Sequence, residues 1–463
     1  MNESGKYDAI IIGSGQGGTP LSTALAGAGF KTALIEREHI GGTCINEGCT
    51  PTKTLIASGR VAYLARRGAE YGVKTSNIAI DMERVRRRKR NIVDTFRNGS
   101  ESRLTKTGNL DLIFGNAQFS GRQSITVKLR SGSECELSAE KIIINAGCRP
   151  ALPTLNGLQD IPFLNSTSVM ELDSVPEHLV VLGGGYVGLE FGQLFRRLGS
   201  RVSIVHTGTQ LLSHEDADVA QEVAAIMQQD GLDILLSTKA ERVENSGGGI
   251  VLTIRDHLGS RTVAGSYLLV ATGRTPNTAA LNLPAAEISV DGRGYIKVNS
   301  KLETTAEGIF AIGDINGGPA FTHISYDDFR ILRANFINKG NASTEGRLVP
   351  YTVYTDPQLG RIGITEADAL QQKKKFRVAK MPMSSVARAL EVDETRGFMK
   401  AIVEDGTDQI LGAAILGIEG GEIMSMLELA MMGKLPFTAL RDAIFAHPTL
   451  AESLNNLFTH FAS

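Results

Sequence analysis

Apolar and polar positions alternate in blocks that predict strands and helices in a regular order. Residues 7–12 end in a continuous apolar run, typical of a buried strand, and the glycine-rich segment Gly13–Gly18 follows at once. A helix-like pattern over residues 19–27 comes next, and then a second apolar run over residues 31–35 that ends at Glu36. Strand, glycine-rich turn, helix, strand and acid, with the acid about 20 residues after the first glycine, are the parts of a dinucleotide-binding unit.

The same order of elements recurs further along the chain. An apolar run at residues 179–182 leads into Gly183–Gly188, then into a helical pattern that ends near Leu198, and then into a strand at residues 201–205. A later strand at residues 267–270 and the segment after it echo residues 142–150. This duplication predicts an α/β fold with two Rossmann-like dinucleotide-binding domains.

The remaining segments predict helices and strands between the two dinucleotide-binding units and a C-terminal domain that contains both strands and helices. Residues 56–104 read as helix, interrupted near residues 72–80, and residues 121–137 alternate like strands before a separate buried strand at residues 141–145. The composition shifts after residues 339–343. The last region then predicts strands and two helices, giving a C-terminal α+β domain; its predicted strands are residues 376–381, 398–403 and 410–416, and one helix is residues 422–432.

Composition narrows the class of protein. A chain of 463 residues with 42% hydrophobic content can build several cores, and its net charge of −2 argues against a general binder of nucleic acid or membrane surfaces. The sequence contains no run of about 18 apolar residues, so no membrane span is expected. The first residues lack a secretory pattern, and the four cysteines do not form a disulfide framework or show metal-ligand spacing. We therefore expect a cytoplasmic protein without a bound metal.

Two of the cysteines, Cys44 and Cys49, lie between the first dinucleotide-binding unit and a helical run. In a regular helix, residues five apart have Cα atoms roughly 8.6 Å apart. This exceeds the about 6.8 Å that a disulfide spans. If they pair, the turn must be distorted, and Gly41, Gly42 and Gly48 permit such a backbone. The spacing alone leaves open two buried thiols that never pair.

The wider stretch of residues 41–53 resembles the redox-active motif of the class I flavoprotein (pyridine nucleotide) disulfide oxidoreductases. This family includes dihydrolipoamide dehydrogenase, glutathione reductase and mercuric reductase, and the likeness runs through Gly-Gly-Thr-Cys, Asn-x-Gly-Cys and Pro-x-Lys. The resemblance implies a Cys44–Cys49 disulfide, with Cys49 against a flavin as the charge-transfer thiolate and Cys44 as the thiol that meets substrate. It also implies that Lys53 pairs with Glu190 beside the flavin ring.

The resemblance assigns a cofactor to each dinucleotide-binding unit. The copy next to the cysteines is expected to hold FAD and the second copy NADPH or NADH. Tyr186 corresponds to the tyrosine that covers the nicotinamide pocket in the family. The expected FAD residues are Gly13, Gly15, Gly17, Gly18, Glu36, Gly42, Thr43, Gly147, Gly313 and Asp314. The expected NAD(P) residues are Gly183, Gly185, Tyr186, Gly188, His206 and Gly273.

The second unit departs from the first at one informative position. Where Glu36 ends the first unit, His206 ends the second, so the acid that usually binds the ribose 2′-hydroxyl of NADH is missing. The arginines that commonly bind a 2′-phosphate are not evident in residues 206–210. The missing acid favours NADPH, while NADH stays open.

Near the C-terminus, His447-Pro448-Thr449 followed by Glu452 resembles the acid–base signature of the same family. In the family this histidine reaches across a homodimer to the partner's disulfide, and the glutamate fixes its tautomer. Thiol–disulfide exchange needs a base for the attacking thiol and an acid for the departing one, and imidazole can do both. We therefore expect a homodimer with catalytic His447 and Glu452.

These observations predict an NAD(P)H:disulfide oxidoreductase with four segments. They are an FAD-binding part (1–150), an NAD(P)-binding domain (151–275), a returning FAD-binding part (276–345) and a C-terminal dimerisation domain (346–463). A metal-ion reductase acting on Cu(II) or Hg(II), or an oxidant-defence reductase, is the alternative. Residues 453–458 resemble bacterial reductases related to the reactive-chlorine-resistance flavoprotein that reduces copper. Mercuric reductase is disfavoured, because in the family it lacks the histidine and has a C-terminal cysteine pair and an N-terminal metal-binding domain. A non-catalytic component of a complex, or a redox sensor, is a third possibility.

Overall fold

The structure, a computed structural model, describes residues 4–461 and divides into two compact units. The first unit comprises the described residues up to Thr54 together with Arg84–Ala151 and Gly273–Arg347. The second comprises Leu55–Glu83, Leu152–Thr272 and the chain from Leu348 onward. No helix within residues 4–461 has the length and apolar content needed to cross a membrane.

Strands and α-helices are interspersed along the whole described chain. The strands are β1 (Ser4–Ile12), β2 (Thr32–Glu36), β3 (Leu110–Gly121), β4 (Ser124–Leu129), β5 (Glu134–Ile144), β6 (Cys148–Pro150), β7 (His178–Leu182), β8 (Arg201–Val205), β9 (Asp233–Leu235), β10 (Lys239–Asn245), β11 (Ile250–Asp256), β12 (Gly259–Gly265), β13 (Tyr267–Val270), β14 (Arg274–Pro276), β15 (Ile309–Ala311), β16 (Tyr351–Val353), β17 (Gln358–Gly363), β18 (Phe376–Pro382), β19 (Phe398–Glu404) and β20 (Ile410–Gly417). The α-helices are α1 (Gly18–Gly27), α2 (Gly42–Asn46), α3 (Cys49–Arg66), α4 (Met82–Thr105), α5 (Tyr186–Leu198), α6 (Ala217–Gln229), α7 (Thr322–Ile337), α8 (Glu366–Gln371), α9 (Ala387–Glu391), α10 (Gly420–Met432), α11 (Phe437–Arg441) and α12 (Ser453–Leu457).

The first unit is built around a sheet in which parallel strands carry the glycine-rich turn. Strand β1 pairs in parallel with β2 and β5, and β5 pairs in parallel with β15. Ile11 lies opposite Leu34 on one side and Ile143 on the other, and all three side chains are fully buried. Apolar residues point to both faces because helices and loops cover both faces of such a sheet. The turn after β1 is therefore fixed by two neighbouring strands.

The second unit repeats this arrangement and adds antiparallel sheets. Strands β13, β7, β8 and β9 form a parallel sheet, and Leu182 lies opposite Val205 just as Ile12 lies opposite Ile35 in the first unit. A three-stranded antiparallel sheet of β10, β11 and β12 and a five-stranded antiparallel sheet of β16 to β20 complete the unit. Helix α10 packs on β17 and β20, and its Leu427 is fully buried. The predicted duplication and mixed C-terminal fold are confirmed.

Two sequence-based expectations about secondary structure were wrong. The strand expected at residues 141–145 is the last part of β5, whose first part pairs with β4 and whose last part pairs with β1 and β15. The alternating and the continuous apolar patterns therefore belong to one strand that changes neighbours. The C-terminal region also contains more helices than the two that were expected. The sequence did not reveal α8, α9, α11 and α12, because helices of five or six residues are too short to show a helical period.

Candidate active site

The segment around the two cysteines is a helix that is broken between them. Helix α2 ends at Asn46, α3 begins at Cys49, and the backbone N–H of Glu47 donates to the carbonyl of Thr43 at 2.8 Å. A Cβ atom on Gly48 would lie 3.0 Å from the carbonyl oxygen of Thr43, closer than Cβ contacts normally come. The helix is interrupted between the cysteines, as the sequence predicts if they pair, and a side chain at position 48 would force Thr43 to shift.

Cys44 and Cys49 are present as thiols that interact with each other. A hydrogen bond with Cys49 and burial raise the pKa of Cys44, while a hydrogen bond with Thr322 and the charge of Lys53 act in the opposite direction. Cys49 is the more exposed of the pair, and its Sγ lies 3.2 Å from Oγ1 of Thr322. Burial and the neighbouring thiol therefore favour the protonated form of Cys44.

The glycine-rich turn of the first unit has the groups that a dinucleotide needs. The N-cap residue of α1 is Gly17, which has no side chain to form a cap, and the first turn of this helix has no acid, so the positive potential at the helix N-terminus suits a pyrophosphate. A Cβ atom on Gly15 would lie 2.8 Å from Oδ1 of Asn145, and one on Gly42 would lie 2.7 Å from the Cα of Gly15. The segment that begins with Gly42 and Thr43 therefore lies against the turn, and the residues present fit FAD.

Glu36 stands at the end of β2 and is tied to this turn. Its Oε2 accepts hydrogen bonds from the backbone N–H of Ser14 at 3.0 Å and from the Ser14 hydroxyl at 2.6 Å. Its Oε1 accepts from the backbone N–H of Glu38 at 2.7 Å. A carboxylate has about four acceptor positions, so capacity remains for a ribose hydroxyl.

Buried polar side chains hold the segment of Gly313 and Asp314, which we expect to bind FAD, beside the glycine-rich turn. Asn145 accepts from the backbone N–H of Gly18 at 2.9 Å and donates to the carbonyl of Ile312 at 3.0 Å. Asp328 on α7 accepts from the backbone N–H of Gly313 at 2.8 Å, and Arg347 donates to its other oxygen at 2.6 Å. These bonds fix the backbone next to Asp314.

Gly147 and Gly273 each directly precede a short strand of the first unit, and these two strands pair with each other. Both have positive φ angles, 63° and 123°, which favour glycine. Strands β6 and β14 follow them and pair in antiparallel fashion, and Arg274 lies 3.5 Å from the carboxylate of Asp314. Gly273 belongs to the first unit, and its role toward the NAD(P) cofactor stays a prediction.

The glycine-rich turn of the second unit fits a second dinucleotide in the same way. Helix α5 has no acid in its first turn and no side-chain cap among the described residues. A Cβ atom on Gly185 would meet nothing within 4 Å, so the surface in front of the helix is open, whereas Gly188 is close to the backbone of Gly183. His206 accepts a hydrogen bond at Nδ1 from the N–H of Gly184 at 3.2 Å, and burial lowers the pKa of its ring.

Tyr186 and Glu190 lie one turn apart on α5, with different exposure. Tyr186 is 38% exposed, whereas Glu190 is 3% exposed. Oε1 of Glu190 accepts a hydrogen bond from the backbone N–H of Tyr354 at 2.9 Å. The C-terminal part of the second unit thus orients this buried carboxylate.

His447 and Glu452 form a pair at the far end of the second unit. The Nδ1 atom of His447 lies 2.9 Å from Oε2 and 3.1 Å from Oε1 of Glu452. The His447 side chain is 69% exposed, so its other ring nitrogen can meet a second molecule. Glu452 is itself held by a hydrogen bond from its N–H to Oγ1 of Thr449 at 3.3 Å.

Three carboxylates in the second unit come close enough to hold a metal ion. They belong to Asp216, Asp218 and Glu366. The ammonium group of Lys400 forms ion pairs with all three, at 3.0 Å from Asp216 and 2.9 Å from Asp218. The positive charge that such a cluster requires is therefore supplied by a lysine.

Several residues that shape these sites were not found from the sequence. Thr322 lies 273 positions after Cys49, and no pattern links the two. Asp328 did carry a signal, because it is an acid on the apolar face of α7 with Ile324 and Ile331, and it is 1% exposed. Asn145, a polar residue directly after a buried strand, was a similar signal.

Known protein families and sequences match nearly the whole length of the chain. Residues 7–328 match the pyridine nucleotide-disulphide oxidoreductase model, and residues 349–458 match the dimerisation domain of that family. The chain is 38% identical to the probable pyridine nucleotide-disulfide oxidoreductase RclA of Escherichia coli, covering 98% of this chain and 99% of that protein. It is 33% identical to a mercuric reductase of Lysinibacillus sphaericus, covering 98% of this chain and 82% of that protein.

A solved structure agrees over the same length. It is the Cu(II) complex of the HOCl-induced flavoprotein disulfide reductase RclA from Escherichia coli, with a TM-score of 0.90, 37% identity and coverage of 99% of each chain. The dimerisation domain supports a homodimer. The chain belongs to the pyridine nucleotide-disulphide oxidoreductase family, whose members use FAD and NAD(P)H, and it is an oxidoreductase acting on a sulfur group.

Proposed function

We propose that Cys44 and Cys49 are the redox-active pair of this enzyme and that the acceptor is a small disulfide. The observation that carries the proposal is that the two thiols interact with each other although a break in the helix lies between them. The hydroxyl of Thr322 and the positive charge of Lys53 also act on this pair. When bound, FAD takes a hydride from NAD(P)H and passes two electrons to the Cys44–Cys49 disulfide.

The environment of the thiols supports different roles for them, with Cys44 attacking the substrate and Cys49 resolving the mixed disulfide. Because the raised pKa of Cys44 keeps its proton in place, a base must remove that proton before Cys44 can attack a disulfide. His447 is the base that we assign, and the imidazolium that forms returns the proton to the departing substrate thiolate. Cys49 then attacks the sulfur of Cys44 in the mixed disulfide, which releases the second substrate thiolate and restores the Cys44–Cys49 disulfide. Glu452 holds the ring of His447 at Nδ1.

The remaining site residues bind and orient the cofactors in this proposal. Gly42 and Thr43, Gly147 and the segment of Gly313 and Asp314 join the first glycine-rich turn and Glu36 in holding FAD. Gly183, Gly185, Gly188, His206 and Gly273 hold the nicotinamide cofactor, Tyr186 covers its pocket, and Glu190 pairs with Lys53. NADPH is the favoured cofactor because position 206 lacks an acid.

The organisation of the chain follows from the same proposal. We assign residues 1–150 and 276–345 to the FAD-binding domain, residues 151–275 to the NAD(P)-binding domain and residues 346–463 to dimerisation. In the homodimer, His447 and Glu452 serve the cysteine pair of the other subunit. A cytoplasmic location suits a dithiol that is oxidised only during turnover.

The test is substitution of one thiol at a time. Cys44→Ser is expected to abolish reduction of small disulfides while NAD(P)H still bleaches the flavin absorbance in anaerobic stopped-flow. Cys135→Ser, which changes a half-buried cysteine on β5, is the matched control and is expected to leave both rates unchanged. Disulfide turnover that survives Cys44→Ser would refute the proposed role of this thiol.

A second candidate acceptor is Cu(II). It is favoured by the likeness to the Escherichia coli flavoprotein that was solved as a Cu(II) complex. Anaerobic mixing of the reduced enzyme with Cu(II), Hg(II) or small disulfides separates the candidates, because the physiological class reoxidises the dithiol within the turnover time. A non-catalytic or redox-sensing role predicts instead that NAD(P)H fails to bleach the flavin on that timescale.

A further inference from the structure

The second unit contains a cavity of about 610 Å³ whose wall is rich in arginine. Arg66 and its neighbour Arg67 from the end of α3, Arg196 and Arg197 from the end of α5, and Arg396 before β19 line it. We call it the arginine cavity. The residues of the second glycine-rich turn do not line it, so it is distinct from the nicotinamide site.

Three of these arginines are matched by the acids in the wall. Asp230 forms ion pairs with Arg197 at 3.2 Å and with Arg396 at 2.7 Å. Arg396 also pairs with Glu394 at 2.6 Å, and Arg67 pairs with Asp393. The guanidinium group of Arg197 stacks on the ring of Tyr63, 3.9 Å from its centroid, which holds this side of the wall in place.

The other two arginines bind no carboxylate within the described part of the chain. Arg66 donates to the carbonyl of Arg197, and Arg196 donates to the carbonyls of Asp230 at 2.9 Å and Ser200 at 3.4 Å. A guanidinium group has five N–H donors, so most donors of Arg66 and several of Arg196 remain for another partner. The lining therefore has two more arginines than carboxylates, although Asp356 and Glu70, which lie outside it, also pair with Arg197 and Arg67.

The ends of three helices offset part of this surplus. Helices α3, α5 and α6 end at Arg66, Leu198 and Gln229, and each C-terminus has a partial charge of about −0.5. Partial charges at a helix end act over about one turn, whereas a guanidinium group has a full charge at its tip. Arg66 and Arg196 therefore keep full charges that are paired only with carbonyl groups within residues 4–461.

We propose that the arginine cavity binds a small anion that contains a phosphate group. The planar fork of arginine matches the oxygens of a phosphate, and two such groups lining one cavity suit a dianion. The volume lies within the about 300–1,000 Å³ of small-molecule sites. A free polyphosphate and the phosphates of a nucleotide share this chemistry, so both belong in the test.

The experiment is calorimetric titration of the FAD-containing enzyme with inorganic pyrophosphate and, separately, with ADP. The double variant R66Q/R196Q is expected to weaken binding about a hundredfold, since each guanidinium contributes about tenfold. The matched control R242Q/R255Q removes two exposed arginines of the β10–β11 hairpin and is expected to change binding less than about twofold. Tighter binding of pyrophosphate than of ADP identifies a free polyphosphate, and the reverse order identifies a nucleotide.

Two further measurements keep the outcome clear if R66Q/R196Q folds poorly. The variant R66K/R196K keeps both charges and is expected to lose less affinity than the glutamine variant. In the unmodified enzyme, pyrophosphate is expected to slow amide hydrogen exchange in residues 62–68 and 195–200. Absence of binding by the unmodified enzyme, or binding and protection that R66Q/R196Q fully retains, overturns the proposal.

Discussion

The Sγ atom of Cys49 lies 3.2 Å from Oγ1 of Thr322, although the two residues are 273 positions apart. The hydroxyl group of Thr322 also lowers the pKa of the Cys44 thiol in the interacting pair. A hydrogen bond to a thiolate favours the charged form, so its removal must raise the pKa. Thr322 thus tunes the acidity of the proposed redox pair.

Thr322→Val is expected to shift the reactivity of the reduced pair to higher pH by about one unit, the size of one hydrogen bond to a charged group. The measurement is the rate of alkylation by iodoacetamide as a function of pH. Thr23→Val, which removes a hydroxyl that donates to the carbonyl of Thr19 within α1, is the control. A profile that stays in place or moves to lower pH would contradict the assigned contact.

The pair of His447 and Glu452 leads to a second expectation. His447→Gln is expected to slow disulfide reduction by about 10²- to 10⁴-fold, the usual contribution of a general acid–base residue, while the flavin is still reduced at the original rate. Glu452→Gln keeps the ring but loses the carboxylate 2.9 Å from Nδ1, and a smaller loss follows.

His460→Gln is the matched control for this pair. His460 is an exposed histidine near the C-terminus whose Nδ1 lies 2.7 Å from the carbonyl of Asn456, and its substitution should leave turnover intact. Equal slowing of flavin reduction in His447→Gln would point to a structural role instead of proton transfer.

The sequence predicted the parts of the site whose determinants are local. Glycines at a strand end, an acid at the end of the next strand and a broken helix between two cysteines all follow from short-range rules of backbone geometry. Glu36 therefore stands at the predicted strand end and Gly48 in the predicted break, while the binding of ribose by Glu36 stays a prediction. The family likeness added His447 and Glu452, which no spacing rule would join.

The residues that the sequence did not reveal act through contacts between distant segments. Asn145 links the N–H of Gly18 to the carbonyl of Ile312, and Thr322 reaches Cys49 only because α7 and the cysteine segment belong to one folded unit. Such pairs have no period or motif. The five-residue helix α11 escaped for another reason, since it is shorter than two helical turns.

Substitution of Asp328 tests how the segment of Gly313 and Asp314, which we propose binds FAD, is held in place. This carboxylate is 1% exposed and joins the N–H of Gly313 to the guanidinium of Arg347. Asp328→Asn leaves the charge of Arg347 without its buried partner and with only the partly exposed Asp327, so the FAD-loaded protein should lose about 3 kcal/mol of unfolding free energy. Denaturant unfolding and release of flavin fluorescence measure this change.

Asp327→Asn is the neighbouring control. The Asp327 side chain is 33% exposed and lies 3.6 Å from Arg347, so its loss should cost less than about 1 kcal/mol. Similar losses from the two variants would mean that the buried bridge has no special part in holding FAD.

Cys148 should be inert where the proposed redox pair reacts. Burial raises the pKa of the Cys148 thiol to about 11, and its Sγ donates to the carbonyl of Asp314 at 3.4 Å. At pH 8 the thiolate fraction is then about 10⁻³, so iodoacetamide should label Cys49 far faster than Cys148 in the reduced enzyme. Mass spectrometry of labelled peptides over time measures both rates, and early labelling of Cys148 would contradict its burial.

His206 occupies the place of Glu36 in the second dinucleotide unit and makes the same bond. Ser14 donates its backbone N–H to Glu36 at 3.0 Å, and Gly184 donates its N–H to Nδ1 of His206 at 3.2 Å. Burial lowers the pKa of His206, which favours the neutral ring, and a neutral ring neither attracts nor repels a 2′-phosphate by charge.

His206→Glu places a carboxylate where it can accept from Gly184 and bind ribose hydroxyls. The ratio of kcat/KM for NADH over that for NADPH should then rise about tenfold or more, because the new charge repels the 2′-phosphate. Binding of the two oxidised cofactors, followed by quenching of flavin fluorescence, should change in the same direction. His214→Glu adds the same charge at an exposed position of the same loop and should alter the ratio much less. Equal effects of the two substitutions would assign the change to overall charge and remove His206 from cofactor selection.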